Sequence, residues 1–107
     1  MNVRLSQARV EEGHRLAMQG RHRQALSSFD DALTSAPGFL PAHLGKFLSM
    51  VALSDLAGSL IAARQVVRVL ADRNDHERIP DIRGTIEEAF PGAGIFVSPH
   101  EPVFLSP

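Results

Sequence analysis

Residues 20–38 read GRHRQALSSFDDALTSAPG, and their spacing decides the fold. Ala25, Leu26, Phe29, Ala32 and Leu33 follow an i, i+3/i+4, i+7 rule, so residues 23–36 are expected to form a helix with one apolar stripe. Ser27, Ser28, Asp30 and Asp31 are assigned to the opposite face. Gly20 just upstream permits a tight turn, and Pro37 at the far end cannot continue the helix.

The same period recurs on both sides. Residues 41–53 place Leu44, Phe47, Leu48 and Val51 on one face, and Pro41 suits the first helical turn, where its missing N–H costs nothing. Residues 56–72 do so with Leu56, Leu60, Ala63, Val67 and Leu70. A first helix is expected over about 3–19, with Val3, Val10, Leu16 and Ala17 inward. Gly13 in its middle costs about 1 kcal/mol against Ala unless close packing requires it.

Laying the chain on itself so that Ala8 meets Ala42 superposes its two halves. In that register Val10 meets Leu44, Ala17 meets Val51, Gly20 meets Ser54, Ala25 meets Ser59, Leu26 meets Leu60, and Ala32 meets Val66. Small residues fall on small ones and apolar on apolar. Bulk moves in one place: Gly13 becomes Phe47 while Phe29 becomes Ala63, which reads as a volume exchange between paired helices. A generic helical hairpin over residues 40–73 accounts for the same period.

A period of about 34 with two helices per unit resembles the tetratricopeptide repeat. Residues 6–39 resemble one unit and 40–73 a second, divergent one. Gly13, Gly20, Ala25, Phe29, Ala32 and Pro37 match the family's Gly, Gly, Ala, large aromatic, Ala and Pro. Arg9 and Glu12 depart from it, standing where members tend to carry Trp and Leu. The resemblance implies an all-α fold of antiparallel helix pairs stacked as a short right-handed solenoid over residues 1–91.

The C-terminal third does not repeat. ADRNDHERIP at 71–80 reads as a polar linker, after which Asp81 is expected to cap a short helix, about 81–90, with Ile82, Ile86, Ala89 and Phe90 on one face. Such a helix would cover the last repeat, as terminal caps do in stacked arrays. Residues 92–107 form a Pro-rich tail with apolar triplets at 95–97 and 103–105, expected to be extended. It is either packed on the helices, docked on another chain, or a partly disordered end.

Composition narrows the function. A chain of 107 residues, 44% apolar and 21% charged, suits one globular domain. With 11 basic and 12 acidic residues its net charge is −1, so no global field draws nucleic acid or an anionic membrane. The absence of cysteine removes thiolate chemistry and Cys-ligated zinc. The N-terminal MNVRLSQARVEEGHR has no apolar h-region, and the apolar run FLSMVAL is too short for a membrane span, so a cytoplasmic protein is the expectation.

No chemistry-bearing constellation stands out. His14, His22, His43, His76 and His100 form no H-x-H or H-E-x-x-H pair, so no metal site and no cofactor are expected. No phosphate-loop or dinucleotide fingerprint occurs. Arg21-His22-Arg23 lacks interleaved aromatics and reads as a solvated turn. Glu87 and Glu88, adjacent on a helix, face different directions and make a poor acid–base pair. The expectation is a protein without catalytic residues.

What remains is a surface. The resemblance implies a concave groove lined by the first helix of each repeat: Gln7, Val10, His14, Ala17 and Met18, then Leu44, Leu48, Val51 and Ala52. Val10 and His14 stand where members that clamp an acidic C-terminus carry Lys and Asn, so no such clamp is expected. An apolar groove favours an amphipathic helix or an extended apolar segment of a partner, or a second copy of the chain. A small chaperone that shields one apolar segment is the alternative, and a regulatory nucleic-acid-binding or catalytic role has no motif behind it. Ordinary interhelical core accounts for Leu44 and Val51 equally well.

Overall fold

The computed structural model describes residues 2–91, 96–97 and 104–105. Over residues 2–91 its architecture is helical: α1 (Val3–Met18), α2 (His22–Ser35), α3 (Leu40–Ala52), α4 (Leu56–Asp72), a 3-10 turn (His76–Arg78) and α5 (Ile79–Ala89). Each helix packs on its neighbour in sequence, and α1 also lies against α3.

Three of the helix ends are built alike. Gly20, Ser54 and Asn74 each take a left-handed conformation, with φ of +77°, +57° and +57°. One residue further on, the amides of Arg21, Asp55 and Asp75 donate back to the carbonyls of Leu16, Met50 and Leu70, at 2.9, 3.0 and 2.8 Å. This is the Schellman arrangement, which satisfies the last carbonyls of a helix while reversing the chain. Gly20 and Ser54 hold equivalent places in the two halves, while Asn74 has the same turn outside that register.

Helix starts differ between the halves. Asn2 caps α1 through its Oδ1, which accepts from the Leu5 amide at 3.0 Å, and Asp55 caps α4 by accepting from the Gly58 amide at 2.9 Å. Arg21, the counterpart of Asp55, gives α2 no side-chain cap. Leu40 and Pro41 open α3, the proline within the first turn as its chemistry favours.

Two apolar clusters make the core. Val10, Ala25, Phe29, Ala32 and Ala42 form the first. Phe47, Ala62, Ala63, Val66, Val67 and Leu70 form the second with Ile79, Ile82 and Ile86, so α5 contributes to the burial of this cluster. Phe47 and Ala63 belong to one cluster, while Phe29 lies against Gly13 in the other half.

Phe29 is the keystone between the halves. Its ring lies so close to Gly13 of α1 and Gly45 of α3 that a Cβ on either glycine would overlap it. The missing side chains are therefore what lets α1 and α3 approach the same ring. Ser6, fully buried, adds a polar tie: its hydroxyl donates to the Ala32 carbonyl at 2.7 Å. His43 Nε2–H donates to the Pro37 carbonyl at 2.8 Å and fastens the loop between the halves.

Several local expectations are corrected. Val3 is exposed and Ser6 takes the inward position, because the hydrogen bond to Ala32 makes a buried hydroxyl tolerable. Ser28 is buried rather than solvated. Helix α5 starts at Ile79, not after Asp81, since Pro80 fits the first turn and Ile79 has a core site to fill. Ala89 is exposed. In the tail, Phe96–Val97 pairs antiparallel with Phe104–Leu105, and the rest of the segment expected to be extended lies outside the described residues.

Candidate functional site

The implied groove residues divide between core and surface. Val10 is 2% exposed and belongs to the first core cluster, so it is not a groove residue. Leu44 and Val51 pack against the second cluster, where α3 meets its neighbours. Gln7 and Ala52 are exposed, and Gln7 Nε2 donates to Glu11 Oε1 along α1 at 3.4 Å. Met18 is 89% exposed at the end of α1.

His14, Ala17 and Leu48 are brought together. They line a cleft of about 110 Å³ with His22, Phe29, Gly45 and Ser49. Its floor is the Phe29 ring, and His14 stands edge-on to that ring with centroids 5.4 Å apart and planes at 69°. Leu48, the counterpart of His14 in the second half, is 53% exposed beside it. His14 of α1 and Leu48 of α3 thus both line the cleft, one with an imidazole and the other with an isobutyl group.

The resemblance did not point to His22, Gly45 or Ser49. Gly45 lacks the side chain that would fill the cleft against Phe29, a role that becomes visible only once α3 is placed against α2. His22 opens α2 and lines the cleft; its Nδ1 is buried and finds no hydrogen-bond partner. His22 also borders an open depression at the α1–α2 turn, shared with Gly20, Arg21, Arg23, Gln24 and Leu53.

A second depression, of about 290 Å³, lies among α2, α3 and α4 and is lined by Leu33, His43, Lys46, Met50, Gly58, Ile61, Ala62 and Gln65. Ile61 is 64% exposed there. The sequence signal was present, since Ile61 follows Leu60 out of register with the inward stripe. Lys46 beside it is held by Asp30 at 2.8 Å.

Among the described residues, no group of three or more His, Asp or Glu side chains is placed to hold a metal ion. Nor is any helix among them long and apolar enough to cross a membrane. Fold and cleft together define an all-α protein of adjacent helix pairs with a small, carbon-floored recess between two of them. No protein-family model, curated protein or solved structure matches the chain.

Proposed function

We propose that the chain is a non-catalytic protein-interaction module of the tetratricopeptide type, holding an apolar peptide or helix of another protein in the cleft between α1 and α3. The observation that carries this reading is Leu48: a leucine half exposed at the rim of a recess floored by a phenylalanine ring. Its isobutyl group gains little from water, and a docked apolar side chain would remove both it and the recess from solvent. The repeated turn geometry at Gly20 and Ser54, and the close approach at Gly13, support the tetratricopeptide reading.

The test is nuclear magnetic resonance titration of the labelled full chain with a panel of amphipathic peptides. Amide shifts concentrated at His14, Ala17, Gly45 and Leu48, lost in Leu48→Glu, are expected. Shifts elsewhere, or unchanged binding by a folded Leu48→Glu protein, would remove the cleft as the docking surface.

A further inference from the structure

Resting on the reading of the cleft as a docking site, we propose that the segment it takes presents one apolar side chain flanked by acidic residues. Two features carry this: the scale of the recess and the charge beside it. A closed apolar cavity of about 150 Å³ takes a benzene ring. A recess of about 110 Å³, lined by Ala17, Phe29 and Leu48 together with His14, His22, Gly45 and Ser49, has room for one apolar side chain.

The neighbouring charge is positive. His22 lines both the recess and the adjoining depression, where Arg21 and Arg23 are exposed. Among the described residues Arg9, Lys46, Arg78 and Arg83 each have a carboxylate partner, whereas Arg21 and Arg23 have none. Other arginines are also unpaired, Arg15 and Arg68 among them, but they line neither the recess nor the depression that adjoins it. Glu12 and Asp31 line a further depression with Arg21, neither within ion-pair distance of it. Arg21 also does no work as a helix cap, the task its counterpart Asp55 performs. The His22 ring beside them keeps an unmet hydrogen bond at Nδ1.

An apolar anchor seated in the recess would bring its flanking residues to these two guanidinium groups. Carboxylates there gain charge-assisted hydrogen bonds that uncharged side chains do not, and basic flanks meet like charge. Partner choice then divides between the two regions, the recess selecting the anchor and the turn selecting the sign of what surrounds it.

The experiment measures fluorescence anisotropy of short labelled peptides against the full chain. One peptide carries a leucine flanked on both sides by aspartate; the others replace the aspartates by asparagine or lysine, or the leucine by serine. The aspartate peptide is expected to bind about three- to tenfold more tightly than the asparagine peptide, the effect of two exposed charge pairs. That gap should close in an Arg21→Gln, Arg23→Gln protein and at high salt, and persist in Arg68→Gln, an exposed site on α4.

Equal binding of the aspartate and asparagine peptides, with the leucine still required, overturns the acidic-flank proposal and leaves the cleft reading intact. Loss of any requirement for the leucine defeats both. If instead Leu48→Glu dissociates a dimer that no peptide displaces, the occupant is a second copy and the proposal is wrong.

Discussion

A Cβ built on Gly13 falls 2.6 Å from Cε1 of Phe29, closer than real side chains approach one another. Within α1 the glycine is therefore a packing requirement. Replacing it with alanine improves helix propensity by about 1 kcal/mol, but overpacking a well-filled site costs about 1–3 kcal/mol. Gly13→Ala is thus expected to lower unfolding free energy in urea, with Phe29→Leu in the same chain recovering part of the loss. Gly84, in α5, offers the contrast, because a Cβ there meets nothing. Gly84→Ala should raise stability by about 0.5–1 kcal/mol.

The paired turns predict opposite signs for reciprocal changes. Gly20 holds φ of +77° at no steric cost, whereas Ser54 adopts +57° against its preference. Gly20→Ala is expected to cost about 1–2 kcal/mol and Ser54→Gly to gain about 1 kcal/mol. Thermal melts of the two variants would show it, and shifts of the same sign would refute the shared turn geometry.

Phe47 and Ala63 test whether bulk is exchanged between the two halves of the chain. Phe47 is 1% exposed inside the larger core cluster, so Phe47→Ala should cost about 3–5 kcal/mol. If the two positions share volume, adding Ala63→Phe returns part of that loss. A double variant less stable than Phe47→Ala would show that Ala63 faces a different space.

Arg21 stands where a cap would help. Exchanging it for the residue that caps α4 at the equivalent place in the second half, Arg21→Asp, should stabilise α2 by about 0.5–2 kcal/mol, read from the urea midpoint. The same change should weaken binding of the aspartate-flanked peptide, so stability and binding move in opposite directions.

Much of the architecture was legible in the chain itself. Periodicity at Ala25, Phe29 and Ala32 located α2, and the register that sets Gly20 on Ser54 located its counterpart; both are local or self-comparative signals. Helix α5 was found but begun too late, because Pro80 reads equally as a stop and as a first-turn residue, and only the core site of Ile79 decides between them. Ser6 and Ser28 were not placed in the core for a related reason: polarity in the sequence cannot say whether a hydroxyl will be covered or will find a buried carbonyl.

The candidate site was half legible. Position within the repeat pointed to His14, Ala17 and Leu48, which the fold brings to one recess, but also to Val10, Leu44 and Val51, which it uses in packing. Helical periodicity names the residues of a face, yet it does not say how much of that face a neighbour covers. Gly45 and His22 entered the site only through the contact of α3 with α2 and the placement of the α1–α2 turn. By itself the sequence determined where helices form and where they reverse, since propensity, apolar period and left-handed turns act within a few residues. Which side chains remain for a ligand was decided by tertiary packing, because exposure belongs to the pair of helices and not to either one.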